Sequence, residues 1–167
     1  MEKRRKKLVL TGVVLFFACV SISFTNTTYG NYAEFLKAIN GLRGSVVDLV
    51  VEEDTVVITF RFTNESSWDL YLVNVQFNLY GGETFVGNFD QRERVYLGTG
   101  ETDVVVRAQV YSRYVTELTG SEDSTIQSFL KDRSHEIEWS IYGGAVIELP
   151  FEEETRTIQI IEYWVST

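Results

Sequence analysis

The 167-residue chain contains one cysteine, one histidine and one proline. A lone cysteine, Cys19, excludes an intrachain disulfide and a thiolate metal site. Without disulfides, an exported domain of this size points to a prokaryotic envelope or cell surface. A nucleophile–base pair built on imidazole has only His135 to use. In "KDRSHEIE" that residue lies between a charged helix end and a strand, the setting of a surface or hinge histidine. No phosphate-binding loop is present, because "GTGE" (98–101) lacks both the lysine and the following helix. The spacing of an EF-hand is missing too. Asp90, Glu101, Asp103 and the acidic run at 152–154 therefore read as solvated acids rather than a calcium cage. No carboxylate pair stands out as buried, as carbohydrate hydrolysis would require. The expectation is a protein that is not an enzyme, with no catalytic residue, cofactor or metal.

Positive charge is also scarce beyond the N-terminus. The opening "MEKRRKK" carries five basic groups and one acid, and removing it takes the net charge from −9 to −13. Such an acidic remainder repels phosphate backbones, which excludes nucleic acid as a partner. It also favours solubility.

Next comes "LVLTGVVLFFACVSISF" (8–24), without a charge. At 1.5 Å per residue this run is near the lower length limit for crossing a bilayer. The basic residues before it place the N-terminus in the cytoplasm by the positive-inside rule. The division expected is a basic cytoplasmic tail (1–7), a transmembrane anchor or uncleaved signal (8–24), a linker and short helix (25–44), and a globular domain (45–167). Cleavage after Ser21-Ile-Ser23 and lipid attachment at Cys19 are the competing readings. Membrane lipid is thus the first partner expected. The localisation is a single-pass cell-membrane protein with its C-terminal domain outside. Asn26-Thr27-Thr28 and Asn64-Glu65-Ser66 are glycosylation-type triplets.

"TNTTYG" (25–30) reads as a polar joint. "NYAEFLKAINGLRG" (31–44) reads as a helix with Asn31 as cap, Glu34 closing a capping box, Phe35, Leu36, Ile39 and Leu42 on one face, and Gly44 as stop. From residue 45 the period becomes two. Strands are expected at 45–53, 55–63, 68–80, 83–89, 92–98 and 102–112. A helix follows at 121–132, then a hairpin over 135–151 turning at Gly143-Gly144, and a last strand at 155–165. Pro150 marks an edge or strand end. Apolar–polar alternation means one wet face per strand, which suits antiparallel sheets. The fold class is all-β: an immunoglobulin- or fibronectin III-like antiparallel β-sandwich with one or two short helices, preceded by the transmembrane helix. In the strand at 68–80, Tyr71, Val73, Val75, Phe77 and Leu79 are taken to share a face. Trp68 is out of step with them, so Trp68 at a rim, together with Asn64, forms the candidate surface-binding pair. Trp139 and Trp164 read as core.

This pattern resembles the late embryogenesis abundant group 2 family, also called the water-stress and hypersensitive-response (WHy) domain. The elements that carry the resemblance are "ITFRFTN" (58–64), "LVNVQFNLYGG" (72–82), "FVG" (85–87), "VYLGTGETDVVVRAQV" (95–110) and "WSIYGGAVIELPF" (139–151). Members usually carry Asn-Pro-Asn where this chain has Asn64-Glu65-Ser66. The resemblance implies a fibronectin-like sandwich without catalytic residues, linked to drying and other stress. Prokaryotic relatives often stand behind a signal or anchor. The function expected is a membrane-anchored, extracytoplasmic, non-catalytic module that binds or stabilises partners or the membrane surface. The alternative is a structural subunit of a cell-envelope complex or surface filament, with envelope proteins as partners.

Overall fold

A computed structural model describes residues 2–131, 136–150 and 155–166, with side chains from Thr11 onward. His135 and the acidic run 152–154 lie outside the described residues.

The chain opens with a single helix, α1 (Glu2–Asn40). The stretch 25–30, expected as a joint, is helical. Its hydroxyls are absorbed by the helix itself: Thr25, Thr27 and Thr28 donate to the carbonyls of Ser21, Ser23 and Phe24, four residues back. Asn31 is therefore not a cap, and Glu34 closes no capping box. Instead the Glu34 carboxylate accepts hydrogen bonds from Lys37 at 2.7 Å and from the Ser67 amide and hydroxyl, both at 2.8 Å. That contact docks the end of α1 on the loop between the second and third strands. The helix stops at Gly41 rather than Gly44. The Gly41 amide donates to Lys37 O, and a Cβ there would lie 2.8 Å from both that oxygen and Glu65 Cβ. Ala38 and Leu42 are buried and Phe35 and Ile39 half-buried, whereas Leu36 faces solvent.

Eight strands follow among the described residues: β1 (Arg43–Glu52), β2 (Thr55–Asn64), β3 (Leu70–Gly81), β4 (Thr84–Gln91), β5 (Val95–Leu97), β6 (Gly100–Gln109), β7 (Ile137–Glu148) and β8 (Thr155–Ser166). All pairings are antiparallel. One sheet has the order β1-β2-β6. The other has the order β4-β3-β7-β8, with β5 pairing the start of β3. The expected sandwich is present. Alternate residues of β2, from Val56 to Phe62, are buried, and Phe60 meets Phe77 of the opposite sheet at a ring separation of 5.4 Å. Trp139 is fully buried, and its indole N–H donates to Ser166 Oγ at 2.9 Å, so its polar end is satisfied inside the fold.

Two short helices, α2 (Ser112–Thr119) and α3 (Ile126–Lys131), fill the link from β6 to β7. The strand expected to run to 112 ends at Gln109, and α2 follows where no helix was expected. This helix ends at Gly120 in the left-handed region, with φ of 70°. The α3 helix falls within the expected segment. It is tied to the β1–β2 turn by bonds from the Ile126 and Gln127 amides to Asp54 Oδ1 and Glu53 O, each 2.9 Å.

Two expectations within the larger sheet are corrected. First, the register of β3 against β7 shifts between Leu72 and Asn74. A bulge of this kind reverses which parity faces inward. Leu70 and Leu72 are therefore buried together with Val75, Phe77 and Leu79, while Tyr71 and Val73 are not. Second, Gly143-Gly144 is no turn. The β7 strand runs straight through it, and the expected hairpin is one long strand ending just before Pro150.

Candidate functional site

The outward face of the β4-β3-β7-β8 sheet carries the candidate site. On β3, the residues beyond the bulge that alternate with the core set are Asn74, Gln76 and Asn78. Across the ladder, Gly144 of β7 pairs with Gln76 on one side and Gln159 of β8 on the other. The missing side chain leaves a depression between two glutamines. Asn88 closes it from β4, Tyr142 and Val146 flank it along β7, and Thr157 completes the β8 side. The resulting trough has a volume of about 510 Å³. None of its lining residues is charged.

Its amides are partly linked. Asn88 Nδ2 donates to Asn78 Oδ1 at 2.8 Å, and Gln76 Nε2 reaches Asn88 Oδ1 at 3.4 Å. Asn74 Oδ1 is shielded from solvent and has no hydrogen-bond partner among the described residues. One margin is aromatic. The Tyr142 and Tyr163 hydroxyls share a 2.9 Å hydrogen bond, and that bond pushes the Tyr163 phenol above its ordinary pKa. Tyr80 stands edge-on to Tyr142 at 5.7 Å and to Phe85 at 5.4 Å.

The sequence-derived pair, Asn64 and Trp68, lies elsewhere. Asn64 is 1% exposed. Its Nδ2 donates to Trp68 O at 2.9 Å and Leu97 O at 3.1 Å, and its Oδ1 accepts from Ser66 N at 3.0 Å and Ser66 Oγ at 2.7 Å. All of its amide capacity goes into pinning the β2–β3 loop to β5. This corrects Asn64 as a surface-binding residue, and a glycan could be attached there only if the loop opened. Trp68 is half-buried against the core. It is in step with Leu70 and Leu72, which the bulge makes the inward face. Trp68 does not line the trough.

Among the described residues, no group of three or more His, Cys, Asp or Glu is placed to hold a metal ion. The acids weighed for calcium that lie among the described residues, Asp90, Glu101 and Asp103, have other partners. Asp103 forms a two-pronged pair with Arg61 at 2.7 and 2.8 Å, which lowers the Asp103 pKa, and Glu101 adds a 3.3 Å contact to the same guanidinium. Asp90 is paired with Arg92.

No protein-family model matches the chain, and no curated protein matches it. Solved structures do. The chain is similar to a solution structure provisionally described as a late embryogenesis abundant protein, with a TM-score of 0.56 and 19% identity over 92% of this chain and 86% of the other. The two share a fold. An Arabidopsis thaliana protein gives a TM-score of 0.49 at 13% identity, covering 74% of each chain. A crystal structure from Archaeoglobus fulgidus gives 0.47 at 9%, over 74% of this chain and 92% of that one. At such identities the likeness concerns architecture alone. The family resemblance seen in the sequence is thus matched at the level of fold.

Proposed function

We propose that the protein is a membrane-tethered, extracytoplasmic, non-catalytic β-sandwich of the desiccation- and stress-protein type, which binds or stabilises partners or the membrane surface. The observation that carries this reading is the state of α1. Thr11–Asn40 is long and apolar enough to cross a bilayer, and its most apolar window is not buried at all by the rest of the chain. Phe16, Phe17 and Phe24 are each more than 60% exposed. A continuous apolar surface of this kind is not left to water in a soluble monomer. Lipid satisfies it, since a helix meets its own backbone hydrogen bonds inside the hydrocarbon. The five basic residues ahead of it favour a cytoplasmic N-terminus. The sandwich then stands outside, with a trough whose lining is suited to binding and lacks an ionisable pair for catalysis.

Protease added to intact cells tests this topology. The sandwich is expected to be digested from outside, with the N-terminal segment protected until the membrane is opened. Full protection of the sandwich in intact cells contradicts the reading. The stress role has its own assay: the purified protein should preserve a labile enzyme through drying better than serum albumin does, and equal protection removes that role.

One observation favours the structural-subunit reading. The end strand β8 exposes an apolar row, with Ile161 48%, Tyr163 67% and Val165 52% exposed. An exposed apolar row of this kind suits contact with a partner protein. Stable co-purification with other membrane proteins from native extracts supports this reading, and a monomer in those extracts counts against it.

A further inference from the structure

We propose that the trough on the larger sheet binds a neutral oligosaccharide laid across the strands. This deepens the binding-module reading and rests on it. Four observations converge on the ligand class.

Charge comes first. Charged residues make up 23% of the chain, yet none lines the trough. An ionic ligand finds no counter-charge there, whereas a neutral polar ligand loses nothing by it.

Hydrogen-bonding chemistry comes next. Each Asn or Gln side chain offers a donor and an acceptor in one plane. Neighbouring sugar hydroxyls offer the same pair, so an amide and a diol can engage through two bonds at once. The Gln159 and Thr157 side chains make no hydrogen bond among the described residues, and Gln76 has only the long contact to Asn88. These groups are free to turn to a ligand.

The third observation is shape. A trough of about 510 Å³ falls within the range of roughly 300–1,000 Å³ typical of small-molecule sites. Its floor is a glycine, so a ring can approach the backbone between two glutamines. Strands lie about 4.8 Å apart, a repeat close to the advance of a sugar ring along an extended chain.

The aromatic margin completes the site. A sugar ring has a polar rim and an apolar C–H face. Tyr142 is 38% exposed at the trough wall and is steadied by Tyr163, which gives such a face a fixed ring to stack on.

The test uses the full-length chain, isotope-labelled and held in a sugar-free detergent, with its side-chain amide signals followed by NMR. The probes are cellohexaose, maltohexaose and mannohexaose, with hexagalacturonate as the anionic counterpart. At least one neutral hexamer is expected to shift the amide signals of Gln76, Asn78 and Gln159 at millimolar concentration or below. Tyr142→Ala and Gln159→Ala should each weaken that binding, by about tenfold and about fivefold. Val105→Ala, on the outward face of the smaller sheet, should leave it unchanged. Gln159→Ala removes a side chain with no partner, so it tests binding without threatening the fold. The proposal is overturned if no neutral hexamer shifts these signals at millimolar concentration, if binding survives both trough variants intact, or if hexagalacturonate binds as well as or better than the neutral hexamers. The protease experiment on cells reads topology independently. A correctly placed sandwich that ignores all three neutral sugars removes the ligand class and leaves the tether standing.

Discussion

Gly143→Ala is expected to destabilise the sandwich by about 3 kcal/mol or more, at or above the upper end of ordinary overpacking. A Cβ at Gly143 would lie 2.2 Å from Gln76 O, 2.5 Å from Phe77 Cβ and 2.6 Å from Phe77 Cα. Two of these three atoms are backbone, so no rotamer change relieves the clash. The β3 and β7 strands would have to part along the central ladder of the larger sheet, losing hydrogen bonds on both sides of the site. Gly82→Asn is the control. Gly82 sits at φ of 58° with nothing within 4 Å of an added Cβ, and asparagine tolerates that backbone region. Its effect is expected to stay within about 0.5 kcal/mol. Urea unfolding separates the two: the midpoint falls sharply for Gly143→Ala and barely moves for Gly82→Asn, at a constant slope. Equal midpoints would mean that β7 does not pass Phe77 at this distance.

The second large effect is expected from Asn64→Leu. The substitution keeps the branched shape of the side chain, with bulkier methyls in place of the amide, and removes four hydrogen bonds at a buried position. It breaks the bonds that Asn64 makes to Trp68 O, Leu97 O, Ser66 N and Ser66 Oγ. Each buried group left unsatisfied costs about 1–3 kcal/mol, and loop opening lets water reclaim part of this. The expected net loss is about 3 kcal/mol, again read from the unfolding midpoint. Asn64→Asp keeps both bonds from Ser66 but turns a carboxylate oxygen towards two carbonyls. That variant should be nearer the parent in acid and lose stability as pH rises above about 4, where aspartate ionises in the unfolded chain. If Asn64→Leu matches the parent in stability but loses a binding activity, Asn64 is a contact residue after all.

The sandwich was legible because its strands alternate cleanly. Val56, Ile58, Phe60 and Phe62 announce an inward face, and the structure buries all four. The trough was half-legible. Asn74, Gln76 and Asn78 stand out as the polar parity of β3, but a trough also needs the opposite wall and a gap. Those depend on which strand lies beside β3. Gly143-Gly144 was misread because two glycines have the same local preference whether they turn a chain or let a neighbouring backbone come close. Only the pairing with Gln76 and Gln159 separates the two cases. Which way Trp68 faces was hidden for a similar reason. A bulge changes parity in mid-strand, and no residue between Leu72 and Asn74 marks it. Asn64 looked like a surface residue because asparagine in a turn usually is one. Its burial follows from β5 folding back against β3, a contact far away in sequence. The joint at 25–30 failed because threonine hydroxyls can bond within a helix as well as break one.

The proposed role depends on α1 being a tether and not a part of the core. Every side chain from Thr11 to Ala33 is exposed, and the core begins only at Ala38 and Leu42. A chain starting at residue 31 keeps Glu34 and the buried end of the helix. It is expected to be soluble without detergent, to leave the membrane fraction completely, and to unfold at the same urea midpoint as the full-length protein. Aggregation, a lowered midpoint, or continued retention on membranes would show that the apolar helix is doing something other than holding an independent sandwich at the bilayer.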